Sequence, residues 1–287
     1  MIAIVDSGST KADWRFVGPE GEQTSISTMG FNPFFHEPTQ ISSELLSAFP
    51  TELALEEVKS VHYYGAGCSD AYRCSIVAEG LKKVFPEANI IVEHDILASA
   101  RATCGDHPGI ACILGTGSNS CAYNGVSISD NVTNLGFLLG DEGSGTHLGK
   151  MLIRGYFYRE LPEEIKAEFD ATYSFSKRDF LNKVYNNESA NVYLASFSRF
   201  MSNHKDHLYI QHLVSQSFGE FIKRHVRKYK NHNVLPIHFV GSVAYHFSDI
   251  LEMVLAERNL KMGIVIKKPI DNLVNYHLER EKAFIRK

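Results

Sequence analysis

Ile2-Ala3-Ile4-Val5-Asp6-Ser7-Gly8-Ser9-Thr10-Lys11-Ala12-Asp13-Trp14-Arg15-Phe16-Val17 opens the chain. Two apolar runs, Ile2 to Val5 and Ala12 to Val17, flank a connector built of turn-forming residues. A connector that short joins antiparallel neighbours, so the stretch reads as a β-hairpin. Gly18-Pro19-Glu20-Gly21 supplies a second turn, and Thr24 to Met29 a third strand. The pattern then returns downstream. From Ile110 an apolar strand runs into Gly115-Thr116-Gly117-Ser118, continues as Cys121 to Tyr123 and turns at Asn124-Gly125, a strong hairpin dipeptide. Two hairpins with Gly/Ser/Thr-rich connectors, each opening one half of the chain, form a weak internal repeat.

Between the hairpins the apolar spacing shifts to a helical period. Ile41, Leu45, Leu46 and Phe49 share one helical face that Pro50 ends. Val58 to Tyr64 reads as a strand, Ala71 to Phe85 as a helix, Ile90 to Glu93 as a short buried strand and Ile96 to Thr103 as a helix. The turn-rich Gly105-Asp106-His107-Pro108-Gly109 marks a break. The expected domains are therefore 1–106 and 107–287, with the final helix, 269–287, able to pack back on the first. Ser144 to Lys230 reads as mostly helical, its longest helix from about Asp206 to Lys230. Pro236 to Val240 is a strand, Ser242 to Glu257 a helix and Gly263 to Ile266 a last strand; Pro269 starts the final helix.

The chain has 287 residues, and at roughly 150 residues per domain that length also suggests two domains. With 29 Lys+Arg against 33 Asp+Glu, the net charge of −4 lacks the basic footprint of a nucleic-acid binder. A hydrophobic content of 44% argues against disorder. No apolar run reaches the roughly 18 residues of a membrane-spanning helix. Met1-Ile2-Ala3-Ile4-Val5-Asp6 has neither the basic start nor the apolar length of a signal peptide. The five cysteines contain no CxxC pair and the 13 histidines no HxxxH spacing, so a cytoplasmic chain with reduced thiols is expected.

Three glycine-containing loops each follow an apolar strand: Asp6-Ser7-Gly8-Ser9-Thr10-Lys11, Leu114-Gly115-Thr116-Gly117-Ser118-Asn119 and Val240-Gly241-Ser242-Val243. Glycines let backbone N–H groups approach a phosphate, and hydroxyls add donors. One such loop alone is what any tight hairpin requires; three in this order point to phosphate recognition. Asp6, at a strand end, could hold a hydrated Mg²⁺ beside phosphates. Asp95 ends a buried strand and precedes a helix, the edge of a parallel sheet where ligands bind. There it serves either as a helix cap or as the base that takes a proton in phosphoryl transfer. In Gly140-Asp141-Glu142-Gly143-Ser144-Gly145, the two acids are either a charged first helical turn or carboxylates for sugar hydroxyls.

The set Asp6-x-Gly8-x-Thr10, His94-Asp95, Gly115-Thr116-Gly117-Ser118-Asn119, Gly140-Asp141-Glu142-Gly143-Ser144 and Gly241-Ser242-Val243 resembles the N-acetylglucosamine kinase branch of the BadF/BadG/BcrA/BcrD-type ATPases. That family lies in the sugar kinase, Hsp70 and actin superfamily. The resemblance implies an α/β chain of two ribonuclease-H-like, actin-like ATPase domains with a central cleft, the second enlarged by helices, closing over ATP and a small amino sugar. It implies an ATP- and Mg²⁺-dependent kinase acting on the sugar 6-hydroxyl, with Asp95 as base. Gly8, Ser9, Thr10, Lys11, Gly115, Thr116, Gly117, Gly241 and Ser242 would serve ATP, and Asp6 the Mg²⁺ through water. Asn32, Asp95, Ser118, Asn119, Gly136 and Asp141 would meet the sugar.

Two departures stand out. Sugar kinases of the family often place tryptophan before the glycine at 136, where this chain has Leu135; Phe34, Phe35 and Phe137 are the aromatics that could replace it. Pro269-Ile270-Asp271-Asn272-Leu273-Val274 stands where many relatives carry a small-residue turn. Competing readings are a glucosamine or N-acetylmuramic acid kinase, a BadF-type activator of a reductase, for whose iron–sulfur cluster Cys104 and Cys121 near the domain junction form no convincing ligand pair, and a sugar sensor without catalysis. A homodimer is compatible with the sequence, which does not fix the oligomeric state.

Overall fold

The computed structural model describes residues 1–8, 11–186 and 189–285, the last five as backbone only. Met1–Gly105 and the segment from Pro269 onward form one compact unit, Asp106–Lys268 another.

The first unit holds strands β1 (Ile2–Ser7), β2 (Ala12–Val17), β3 (Gln23–Thr28), β4 (Ser60–Gly65) and β5 (Asn89–His94). Its helices up to the break are α1 (Pro38–Ala48), α2 (Ala71–Val84) and α3 (Asp95–Cys104). The second unit brings β6 (Pro108–Leu114), β7 (Ser118–Asn124) and β8 (Ile128–Asp130), then α4 (Gly136–Leu139) and α5 (Gly145–Phe157). A helical stretch follows: α6 (Glu163–Thr172), α7 (Lys177–Tyr185), α8 (Ala190–Ser196), α9 (Ser198–Asn203) and α10 (Leu208–Arg224). Last come β9 (Ile237–Val240), α11 (Ser242–His246), α12 (Ser248–Ala256), β10 (Met262–Ile266) and α13 (Ile270–Ile285).

The hairpins are there because their connectors are short and their strands are buried along most of their length. The sheet order is β3-β2-β1-β4-β5 in the first unit and β8-β7-β6-β9-β10 in the second. In each, the first strand pairs antiparallel with the second and parallel with the fourth. The weak repeat in the sequence is thus a full repeat of strand topology, and the fold is the mixed α/β, ribonuclease-H-like class expected.

Each unit has its own core. In the first, Trp14 lies edge-on to Phe49 at 5.0 Å and packs against Phe16, Tyr63 and Phe85. Its indole N–H donates to Thr28 Oγ1 at 2.9 Å, so the buried ring leaves no polar atom stranded. In the second, β6 and β9 pack under α5, α10 and α12 through Leu114, Phe239, Leu152, Phe218 and Leu251. Among the described residues no helix is long and apolar enough to cross a membrane, and all five cysteines are free thiols.

Three features differ from the sequence reading. The expected helix from Asp206 to Lys230 runs only from Leu208 to Arg224. Beyond it Tyr229 is drawn inward, its hydroxyl bonded to Ser120 Oγ at 2.7 Å. The expected Ser242–Glu257 helix is two helices, broken where Phe247, buried, leaves helical geometry at φ −114°. The short strand β8 and the single-turn α4 carry no periodicity that a sequence window resolves.

α13 packs on the first unit along α3, β1 and β2. Asn272 Nδ2 donates to Ala102 O at 2.9 Å, and Arg15 reaches Asp271 at 3.0 Å. Beneath it the rings of His62 and His277 lie 4.0 Å apart. Tyr64 OH bonds His277 Nε2 at 2.8 Å and accepts from Arg101 Nη1 at 2.7 Å. Burial, and then the Arg101 guanidinium, lower His62 to about 4. Burial, His62, Arg101 and Arg280 lower His277 to about 3. Both rings are neutral in the folded chain where an unfolded histidine, with a pKa near 6.5, begins to charge. The unfolded state therefore binds more protons as pH falls below that value, and stability drops toward the folded pKa values. Urea unfolding should show stability falling between pH 6.5 and about 4, at up to about 1.4 kcal/mol per pH unit for each histidine. His277→Gln should flatten that slope; equal slopes in the two proteins would contradict the assignment.

Candidate active site

The parallel register of the first unit lines up strand ends. Ser7 of β1 sits opposite Gly65 of β4, and Gly65 opposite His94 of β5. The next residues, Gly8, Ala66 and Asp95, therefore emerge at one sheet edge, the carboxyl edge where ligands of such sheets bind. Gly8 N–H donates to Lys11 O at 2.9 Å and closes the connector. Ser9 and Thr10, expected to contact phosphate, lie outside the described residues. Lys11 is exposed, and its ammonium pairs with Asp13 Oδ1 at 2.9 Å. Asp6 faces Asp13 across the hairpin.

Asn32 and Asp95 belong to this same edge. Ser7 Oγ accepts from Tyr63 OH at 2.7 Å and from Phe31 N–H at 3.4 Å, which ties the Gly30–Phe31–Asn32 segment to the end of β1. A Cβ on Gly67, in the turn after β4, would stand 2.5 Å from Asn32 Oδ1, so that turn and Asn32 are neighbours. Asp95 is the first residue of α3, whose cap is the preceding His94: its Nδ1 accepts the Ile96 N–H at 3.3 Å. The capping alternative for Asp95 is thus taken by its neighbour. His94 Nδ1 also lies 2.5 Å from Asp95 Oδ1. That contact pairs the two side chains, the carboxylate favouring a proton on the imidazole. Burial disfavours the charged imidazole, Asp95 favours it, and the net effect raises the His94 pKa.

In the second unit the carboxyl ends of β6 and β9 meet, Ile113 opposite Val240. Gly241 follows at φ +125°, and a Cβ there would stand 2.3 Å from Leu114 O, so only glycine fits. Gly115 N–H donates to Gly117 O at 3.0 Å, while Gly115 O accepts from Gly145 N–H at 2.8 Å. Thr116 O accepts from Thr146 Oγ1 at 2.6 Å, and the Thr116 side chain is exposed. Ser242, at the start of α11, is exposed too.

Asp141 joins this loop to the next. Its Oδ1 accepts the Ser118 N–H at 3.0 Å and Asn134 Nδ2 at 2.7 Å. Asn134 also donates to Ser118 O, and its own Oδ1 takes the Gly136 N–H at 2.7 Å. Ser118, Asn134, Gly136 and Asp141 therefore form one hydrogen-bonded group. Ser118 Oγ is buried without a hydrogen-bond partner among the described residues. Asn119 lies at its margin, with Oδ1 taken by Ser120 N–H at 2.9 Å.

Asn134 was not among the residues singled out from sequence. Its signal is the Asn-x-Gly spacing to Gly136, the mark of an asparagine turning the chain onto its own backbone. Glu142, for which the sequence offers a charged first helical turn or a carboxylate for sugar hydroxyls, is engaged within the unit: Oε1 lies 3.1 Å from Arg224 Nε. Of the aromatics weighed against Leu135, Phe137 packs partly buried on the core. Phe34 and Phe35 are exposed, and the Arg73 guanidinium stacks on Phe34 at 3.5 Å. Cys121, weighed as a cluster ligand, is fully buried in β7.

Among solved structures, the chain is 40% identical to the protein from Porphyromonas gingivalis named "Putative N-acetylglucosamine Kinase", with a TM-score of 0.90 over 96% of this chain and 98% of that one. It is 18% identical, with a TM-score of 0.63, to the protein of the same name from Chromobacterium violaceum, over 96% of this chain and 98% of that one. A Listeria monocytogenes protein named "a putative N-acetylmannosamine kinase" shares the fold at 14% identity and a TM-score of 0.51, over 98% of this chain and 99% of that one. No protein-family model and no curated protein matches the chain.

A Cβ on Gly117 would stand 3.0 Å from Asp141 Oδ1. Gly117→Ala should displace that carboxylate and strand the buried Ser118 N–H, at a cost of about 1–3 kcal/mol in denaturant unfolding. Wild-type stability in this variant would show that the group is not held as described.

Proposed function

Because the chain belongs to the family of the Porphyromonas gingivalis protein, among sugar kinases of the actin-like ATPase fold, we propose that it transfers the γ-phosphoryl group of ATP to the 6-hydroxyl of an amino sugar, N-acetylglucosamine first among them. The observation that carries the reading is Ser118 Oγ, buried without a hydrogen-bond partner among the described residues and beside the Asp141 carboxylate. A buried polar atom left unpaired costs free energy, and Ser118 is a position expected to meet the sugar. A ligand hydroxyl there would remove that cost.

In this reading Asn32 and Asp95 orient the 6-hydroxyl. Asp95 accepts its proton as the oxygen attacks the γ-phosphorus in line and the bond to the ADP oxygen breaks. Among the described residues the two side-chain hydrogen bonds of Asp141 both fall on Oδ1, and Oδ2 would accept from a sugar hydroxyl. Ser118, Asn119 and Gly136 complete the sugar contacts, with Phe34 or the exposed Phe35 as the apolar surface that Leu135 does not provide. Backbone amides and hydroxyls at Gly8–Lys11, Gly115–Gly117 and Gly241–Ser242 serve the ATP phosphates and nucleoside. Asp6 suits Mg²⁺: one carboxylate at a strand end matches an ion that keeps several waters and binds mainly through phosphates. When bound, that ion supplies charge neutralisation on the phosphates. A reductase activator fits less well, since a core cysteine such as Cys121 is not placed to share a cluster.

A coupled assay of ADP release against N-acetylglucosamine, glucosamine, N-acetylmannosamine and N-acetylmuramic acid tests the reading. ADP release should depend on sugar and fall about 10²–10⁴-fold in Asp95→Asn. Turnover without sugar, or a fully active Asn variant, would overturn it.

A further inference from the structure

The turn that carries Asp141 is held from behind. Asp141 has φ +58°, a left-handed conformation that a residue with a side chain adopts only when its surroundings enforce it. The next residue sends its side chain onto α10. Glu142 Oε1 lies 3.1 Å from Arg224 Nε, and Oε2 lies 3.6 Å from His225 Nε2. The Glu142 side chain is only 13% exposed. Arg224 is itself fixed by Glu220, Nε to Oε2 at 2.9 Å. His225 is buried and stacks on Phe221 at 5.0 Å, and its Nδ1 has no hydrogen-bond partner among the described residues. Burial lowers its pKa while Glu142 raises it, and burial prevails. Two residues of α5 and α10 complete the hold: Ser217 Oγ accepts the Gly143 N–H at 3.2 Å and bonds His147 Nδ1 at 2.7 Å.

A charge so enclosed is not a surface decoration, because a partly buried carboxylate without partners would be costly. Adjacent acids in one turn thus face opposite ways. Asp141 binds Ser118 and Asn134, and Glu142 binds α10. Pulling on one fixes the backbone that aims the other.

We propose that Glu142 is a positioning residue for sugar recognition: through Arg224 and His225 it holds the 140–145 turn so that the Asp141 carboxylate keeps its place against Ser118. The proposal rests on the reading of Asp141 as a sugar contact. Glu142 touches neither phosphate nor sugar in this scheme; removing it should loosen sugar binding and leave the ATP side as it is.

The test uses the full chain with N-acetylglucosamine as probe, measured by calorimetric binding and by KM, beside hydrogen exchange of the Ser118 amide. Glu142→Ala should raise the sugar Kd and KM at least tenfold, leave the ATP KM within twofold and speed exchange at Ser118. Glu142→Gln, which keeps an acceptor for Arg224, should stay within about threefold of wild type on all three. If Glu142→Ala does not fold, Arg224→Ala should give the same pattern. Unchanged sugar binding with unchanged Ser118 protection in a folded Glu142→Ala or Arg224→Ala protein would overturn the proposal, as would an equal loss on the ATP side. Asp141→Asn separates the two readings. If it raises the sugar Kd and Glu142→Ala does not, the strut fails and the sugar site stands. If wild type binds no amino sugar, the functional reading fails, and faster Ser118 exchange in Glu142→Ala still shows that Glu142 holds the turn.

Discussion

The parallel pairing of β1 with β4, and of β4 with β5, is the constraint on which the candidate site of the first unit depends. It sets Ser7, Gly65 and His94 in one row. Because parallel strands run the same way, everything that follows those residues leaves at one edge. The glycine connector, the turn beside Asn32 and the start of α3 with Asp95 become neighbours although they are far apart in sequence. The second unit repeats the device with β6 and β9, whose ends bring Gly115 to Gly241. A one-residue slip in either pairing would move every side chain of these buried strands to the opposite face, so the cores of the two units enforce the register of their sites.

A chain of net charge −4 has no overall positive field with which to draw in a nucleotide. Glycine-lined strand ends suit that circumstance, since backbone N–H groups and hydroxyls can meet phosphate oxygens without a cationic side chain. The cation nearest the first connector, Lys11, is paired with Asp13. The carboxylates divide by environment in the same economical way: Asp141 serves Ser118 and Asn134, Glu142 serves α10, and Asp95 pairs with His94.

The hairpins, the strand at the end of which Asp95 sits and the repeat could all be read in sequence, because turn chemistry and apolar period are local signals. Gly117 and Gly241 were legible as glycines, though not the atoms they make room for, Asp141 Oδ1 and Leu114 O. The direction of Glu142 was not legible, since which of two adjacent acids turns inward is decided by Arg224 and His225, some eighty residues on. Asn134 was missed for a related reason: its partners Ser118 and Asp141 flank it at a distance no periodicity records. The break at Phe247, whose ring is buried, leaves no mark in the helical period of the sequence.

The central claim is that a sugar oxygen attacks the γ-phosphorus of ATP with Asp95 taking its proton. Proton–phosphorus correlation NMR on the product formed from ATP and N-acetylglucosamine tests it most directly. The account predicts a phosphoryl group coupled to the two protons on carbon 6, formed one for one with ADP. Inorganic phosphate alone, or a phosphoryl group on any other sugar oxygen, would contradict it.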